Sequence, residues 1–208
     1  MFIVPAILVT TVEELQQQVS SVKDVVEWLQ LDIADGKFVD NKTISLADIP
    51  DNIFDGFSVE VHLMVENPME YLEDCKRLRV KRIIVHYEAI HEKLDVLEKI
   101  NQSGIQISIA INPGTTVSYL ENVIEYLDAV LLMTVEPGKQ GQEFIPSVLD
   151  KISEIRLIAP DAVIGIDGGV KLDNINKVNK YNLDYVAVGS GLWQADDIEG
   201  QIKKFQQA

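Results

Sequence analysis

The stretch FIVPAILVTT, residues 2–11, decides between two architectures. From Phe2 to Leu8 it is an apolar run with strand character. It leads into a helical pattern that puts Val12, Leu15, Val19 and Val22 on one stripe. Thr10 or Thr11 stands at the helix start as a cap, with Glu14 inside the first turn. A strand feeding a helix can open either a doubly wound sheet or a closed barrel. The doubly wound sheet usually carries a glycine-rich turn after its first strand. PAILVTT, residues 5–11, has no glycine, which favours the barrel.

Outward from this stretch the same unit recurs. VEWLQLDIAD (26–35) is followed by an irregular stretch from Gly36 to Gly56, then by SVEVHLM (58–64) and the helical PMEYLEDCKRL (68–78), with Pro68 at its start. RIIVHYE (82–88) precedes a helix with Leu94, Leu97 and Ile100 on one side, ended by Gly104. IQISIAINP (105–113) pairs with the helical VSYLENVIEYL (117–127), and AVLLMTVEPG (129–138) with SVLDKISEIRLI (147–158). AVIGIDGG (162–169) leads to a short helix from Leu172 to about Asn179. YVAVGSG (185–191) leads to a tail helix from about Ala195 to Phe205. Eight such units predict a parallel sheet closed as a (β/α)8 barrel, one domain over residues 1–208.

Composition excludes several classes. The 208 residues are 47% apolar and 25% charged, close to a globular average. No apolar run approaches the ~20 residues of a membrane span. MFIVPAILVTTVEE lacks the basic region and cleavage site of a signal peptide. The single cysteine, Cys75, fits a helical packing position and a reducing, cytoplasmic setting. A net charge of −15 repels nucleic acid and anionic membranes, so an anionic ligand must be held by local dipoles.

In such barrels the chemistry sits at the carboxyl ends of the strands. There the sequence places Asp32 and Asp35, His62 with Met64, His86 with Glu88, Asn112, Met133 with Thr134, Asp167, and Gly189 with Ser190. Asp32 is the unusual one. In WLQLDIA, Leu29, Leu31 and Ile33 share one face, and Gln30, Asp32 and Ala34 share the other. An unpaired carboxylate there costs several kcal/mol. Asp32 and Asp167 on well-separated strands can face each other across the mouth. Two opposed carboxylates serve a two-base epimerisation, one removing a proton beside a carbonyl and the other returning one to the opposite face. Either aspartate alone also reads as a strand-end cap. A lone His62 or His86 reads equally as a core histidine, and His91 as solvated surface. DGGV (167–170) and VGSG (188–191) are glycine turns after the last two strands, where barrels build phosphate sites. PGKQGQ (137–142) reads as a lid or an ordinary loop, and Trp28 and Trp193 as packing.

These residues, in this order, resemble ribulose-phosphate 3-epimerase along nearly the whole chain. The carriers are LDIADGKFVDN, VHLMVENP, VHYEA, INPGTT, LLMTVEPGKQGQEFIPSVLDKI, IDGGV and VAVGSG. The resemblance implies a barrel of the ribulose-phosphate-binding type that interconverts ribulose 5-phosphate and xylulose 5-phosphate through an enediolate, and commonly a homo-oligomer. It implies two catalytic aspartates, Asp32 and Asp167, around one divalent cation (Mg, Mn, Fe, Co or Zn) held by Asp32, His62 and Asp167. It implies methionines over the enediolate at Met64 and Met133, and phosphate contacts at Gly141, Gly168, Gly169, Gly189 and Ser190.

The departures are equally specific. The family's His-x-Asp-x-Met-Asp-Gly reads Gln30-Leu31-Asp32-Ile33-Ala34-Asp35-Gly36 here, so one ligand histidine is Gln30 and one methionine is Ala34. The family's Pro-Ser is Pro5-Ala6, its lid Phe-Gly is Lys139-Gln140, and its FVPN is FVDN with Asp40. Gln30 is read either as a neutral oxygen ligand suited to Mg²⁺ or Mn²⁺, or as an N–H donor to the enediolate in a site without metal. Lys139 is read as a phosphate or lid contact, or as a solvated loop residue. Ala6 and Ala34 leave open a longer ketose phosphate, and all the changes together leave open a sugar-phosphate-binding relative without activity. A decarboxylase or aldol-type synthase of related shape would show Asp-x-Lys-x-x-Asp. Strand two offers Asp32-Ile33-Ala34-Asp35 with no lysine.

Overall fold

The computed structural model describes residues 1–139 and 141–208. Eight parallel strands close into a barrel in sequence order: β1 (Phe2–Ile7), β2 (Trp28–Ala34), β3 (Ser58–Met64), β4 (Arg82–His86), β5 (Gln106–Ile111), β6 (Ala129–Met133), β7 (Val163–Asp167) and β8 (Tyr185–Val188). β1 pairs with β8, so the sheet has no free edge and the doubly wound alternative is excluded. The expectation of a (β/α)8 barrel is met.

Side-chain alternation sorts the strands into two cores. Leu29, Leu31 and Ile33 of β2 join the large apolar layer between sheet and helices. Val4, Ile84, Ala110, Leu131, Met133 and Tyr185 form a second cluster, which fills the barrel interior. Each fully buried side chain of this size contributes about 1.5–3 kcal/mol relative to exposure. The interior floor is polar. Glu60 and Arg82, level with each other on β3 and β4, form a buried ion pair at 2.9 Å. The guanidinium lies 4.8 Å from the Trp28 ring centroid and 5.6 Å from that of Tyr185. Burial pushes the Glu60 carboxyl up to about 7 against the pull of Arg82. A Cβ at Gly165 would lie 2.2 Å from the Tyr185 ring, so glycine there lets that ring close the floor.

The helices form where their caps and stripes direct. In α1 (Val12–Ser21), Thr11 is the cap and forms a capping box with Glu14, and Leu15 and Val19 are buried. α2 (Leu72–Arg77) follows a 3-10 turn, Pro68–Tyr71, with the proline at its start. α3 (Lys93–Gln102) buries Leu97 and Ile100, whereas Leu94 is exposed, narrowing the expected stripe. α4 (Asp150–Ile158) follows the 3-10 turn Pro146–Leu149. α5 (Ile175–Val178) and α6 (Ser190–Trp193) are single turns, and the tail helix α7 spans Ile198–Gln207. The helix expected over residues 117–127 is instead two 3-10 turns, Val117–Leu120 and Ile124–Tyr126. Val117, Leu120 and Val123 are buried at a spacing of three, which matches a 3-10 repeat better than 3.6. The β2–β3 connection holds the 3-10 turn Leu46–Asp48 and an isolated antiparallel bridge between Asp35 and Lys42. Among the described residues no helix is long and apolar enough to cross a membrane.

Candidate active site

The strand registers put the expected polar residues in one layer. Asp32 is level with His62 on β3, and Gln30 lies one inward position deeper, level with Glu60. Asp167 ends β7, level with Met133 and Ala187. Asp32, His62 and Asp167 are all buried, and their ligand-type atoms lie within 4.8 Å of one another. Neither aspartate caps a helix.

Two donors hold the two carboxylates together. The Gln30 amide Nε2 donates to Asp32 Oδ1 at 2.8 Å and to Asp167 Oδ2 at 2.7 Å. His62 Nδ1 lies 3.2 Å from Asp32 Oδ1 and 3.4 Å from Asp167 Oδ2. Each carboxylate therefore uses one oxygen in this link. The second oxygen of each takes no hydrogen bond from the described residues, and both aspartates line the pocket above. Burial alone would push the His62 imidazole down. The hydrogen bonds and charges of Asp167 and Asp32 outweigh it and carry His62 up to about 9, so it is a cation at neutral pH. Burial is also the largest influence on Asp32 and raises its carboxyl, with His62 opposing and Asp167 reinforcing.

The network continues beyond His62. Its Nε2 lies 2.8 Å from His86 Nε2, and His86 Nδ1 lies 3.5 Å from Glu88 Oε2. Burial, reinforced by the His62 charge, pushes His86 down to about 4, so it is neutral and its Nε2 accepts from His62. Burial raises Glu88, but the nearby His86 ring and the hydrogen bonds from Thr115 and the Asn112 backbone bring it to about 2. Phe38 packs on the His86 ring, centroids 4.8 Å apart. His86 and Glu88 stand out in the sequence only as strand-end polar residues. Their connection to the site appears in three dimensions.

A pocket with about 480 Å³ of empty space, part of it open to solvent, lies above the aspartates. Met64 and Met133 line it beside Asp32, His62 and Asp167, as the resemblance implies. Ala6 lines it too; Gln30 does not, and Ala34 is buried outside the lining. The Gln30 amide has two protons, and both go to carboxylates. Neither N–H group is left to point at the pocket in this arrangement.

Gly141, Gly168, Gly169, Gly189 and Ser190 line the same pocket. Gly168 (φ +114°) and Gly169 (φ +66°) are in the left-handed region, and a Cβ at Gly169 would meet the Phe144 backbone at 2.8 Å. Asn174 pins this turn, donating to the Gly169 carbonyl at 2.9 Å and accepting from the Lys171 N–H at 2.9 Å. Thr134 Oγ1 donates to the Asp167 carbonyl at 2.9 Å and to that of Gly168 at 2.6 Å, fixing the backbone that carries the aspartate. Lys139 also lines the pocket, in the loop that packs Gly138 against Val39. Gln140, the other half of the altered lid pair, lies outside the described residues.

The chain's likeness to known proteins agrees with this arrangement. The profile of the ribulose-phosphate 3 epimerase family matches residues 2–193. The ribulose-phosphate 3-epimerase of Aquifex aeolicus (strain VF5) is 36% identical over 200 residues, covering 93% of this chain and 88% of that protein. That of Bacillus subtilis (strain 168) is 31% identical, covering 98% and 97%. Among solved structures, 3-hexulose-6-phosphate synthase superimposes with a TM-score of 0.76 at 15% identity, over 100% of this chain and 99% of that one. KGPDC from Streptococcus mutans in complex with D-R5P does so at 0.72 and 12%, over 99% and 95%. At such identities the structural likeness is one of fold. The sequence match runs through the strands that carry Asp32, His62 and Asp167, and the chain belongs to the ribulose-phosphate 3-epimerase family.

Proposed function

We propose that this protein interconverts ribulose 5-phosphate and xylulose 5-phosphate, with Asp32 and Asp167 as the two proton-transferring groups. The observation that carries the proposal is the shared link of these carboxylates, each with one oxygen held by Gln30 and one left toward the pocket. With the sugar's carbon 3 between them, the carboxylate of one takes the C3 proton. The C–H electrons move into a C2–C3 enediolate, with the charge on the C2 oxygen. The protonated partner then gives its proton to the opposite face of C3, and the carbonyl re-forms. The substrate gains and loses one proton, and the two aspartates exchange protonation states. The burial that raises the Asp32 carboxyl favours its protonated form, as a proton donor to carbon 3 requires.

The phosphate is assigned to the turns at Gly168, Gly169, Gly189 and Ser190, with Gly141 from the loop above. Backbone N–H groups at such turns suit an anion in a chain of net charge −15. Met64 and Met133 form an apolar cover beside the reacting carbons.

A divalent cation fits part of this site. Two carboxylates and an imidazole converge within 4.8 Å, and Gln30 Oε1 is a buried oxygen with no hydrogen-bond partner among the described residues. Asp32, Asp167 and, once it had given up a proton, His62 would hold such an ion, with Gln30 Oε1 as a fourth donor only after its amide turned over. When bound, it would polarise the ketose oxygens and stabilise enediolate charge.

Ala6 supports a second reading, a longer ketose phosphate, because it lines the chamber where the family carries serine. Incubation with ribulose 5-phosphate, followed by NMR for xylulose 5-phosphate, tests the first reading. Product is expected. No product from ribulose 5-phosphate, with epimerisation of a six-carbon ketose phosphate, would overturn it in favour of the second. The synthase chemistry of the structural neighbours has no comparable support, since the strand-two lysine is missing.

A further inference from the structure

We infer that the Gln30 amide takes the cation's place as the link between Asp32 and Asp167, so that the pair is assembled without an ion and an ion enters only by displacing the amide. The inference rests on the epimerase reading for its consequence, but its structural content is independent of it.

Gln30 is fully buried and lies one position deeper in the barrel than Asp32. Its side chain reaches up between the two carboxylates, 2.8 Å from one and 2.7 Å from the other. The amide orientation follows from chemistry. Turned over, Oε1 would stand at those distances from two carboxylate oxygens, acceptor against acceptor unless a cation or a carboxyl proton lay between them. With those two oxygens unprotonated and no cation, the N–H orientation is the one that pairs both, and it leaves Oε1 buried with no partner among the described residues. A histidine at this place has an alternative that glutamine lacks: its ring nitrogen offers a lone pair to a metal without first breaking two charge-assisted hydrogen bonds. An ion entering beside Gln30 must break both, and it gains only a neutral amide oxygen. His62, the second donor between the same oxygens, adds to the link.

The consequence is that divalent ions bind this chain weakly, and that the aspartates keep their geometry in chelator. The test is Mn²⁺ titration followed by electron paramagnetic resonance on wild type, Gln30→His and Gln30→Glu, with thermal melts in EDTA and in Mn²⁺. Gln30→His should bind Mn²⁺ on the order of tenfold or more tighter than wild type. Gln30→Glu puts a third carboxylate against two, and should melt lower in EDTA and be rescued by Mn²⁺. The wild-type melt should be the same in both. If wild type binds Mn²⁺ as tightly as Gln30→His, or if its melt rises with Mn²⁺ as that of Gln30→Glu does, the inference is overturned. Conversion of ribulose 5-phosphate in EDTA is read in parallel. Loss of conversion in every condition strikes the epimerase reading, whereas conversion only with added metal strikes the amide link.

Discussion

His62 Nε2 and His86 Nε2 meet at 2.8 Å inside the barrel, their rings 4.9 Å apart and nearly stacked. His62 is charged and His86 neutral, so the proton lies on His62 and the ring cannot turn without losing it. His86 has Glu88 3.5 Å from its Nδ1, and the Asn112 N–H and the Thr115 hydroxyl hold that carboxylate in place. His86 acts as a positioning residue: it sets which His62 nitrogen faces the aspartates. Replacing a partner of this kind typically costs 10–100-fold in function. His86→Phe should lower kcat by about that factor with little change in KM, as read by steady-state kinetics, while Glu88→Gln should lower it less. A changed KM with unchanged kcat would contradict the assignment.

The same pair gives stability a pH signature. In the folded chain His62 titrates near 9, above the ordinary 6.5 of an unfolded histidine. Its contribution is therefore fully present below about pH 6.5 and lost as pH rises through 9. It is worth on the order of 3 kcal/mol. Glu60, raised to about 7, adds a loss between about 4.5 and 7. His86, lowered to about 4, works in the other direction, its contribution falling as pH drops from 6.5 to 4, and so it offsets Glu60 in that window. Urea unfolding should show a clear fall in stability from pH 6.5 to 9, and His62→Gln should flatten it. An unchanged slope in His62→Gln would contradict the origin proposed.

The floor of the barrel yields a test of packing alone. A methyl group at position 165 would press on the Tyr185 ring, whose hydroxyl end neighbours the Glu60–Arg82 pair. Gly165→Ala should destabilise by about 1–3 kcal/mol in denaturant unfolding. Adding Tyr185→Leu should recover part of that loss, because the two positions share one space. Additive effects would contradict the contact.

Asp167→Asn separates catalysis from binding. The amide keeps the size of the carboxylate and leaves the glycine turns untouched. Conversion should fall by about 10³-fold or more, while binding of a pentulose phosphate, followed by calorimetry, survives within about tenfold. Retained conversion would remove Asp167 from the proton-transfer pair.

Much of this was legible in the sequence, for reasons that can be named. The barrel followed from eight apolar runs alternating with helical stripes, and from the missing glycine in PAILVTT. Asp32 showed itself because a carboxylate stood inside an apolar strand, and Asp167 because it preceded two glycines. The helix expected at residues 117–127 was misjudged because Val117, Leu120 and Val123 fit both a 3.0 and a 3.6 repeat over so short a span. The His62–His86 contact depends on the β3–β4 register, which sets His62 level with Ile84 and brings His86 in diagonally. The orientation of Gln30 depends on a carboxylate 137 positions away in the chain. Single-strand patterns carry neither relation.

The central claim is that two different aspartates handle the proton at carbon 3. The most direct measurement is proton NMR of ribulose 5-phosphate with this protein in heavy water, stopped at low conversion. The account predicts xylulose 5-phosphate carrying deuterium at carbon 3, from a solvent-equilibrated acid, beside recovered ribulose 5-phosphate that is still protonated there. Product that retains the substrate's own hydrogen would mean a single group removes and returns it, and would contradict the account.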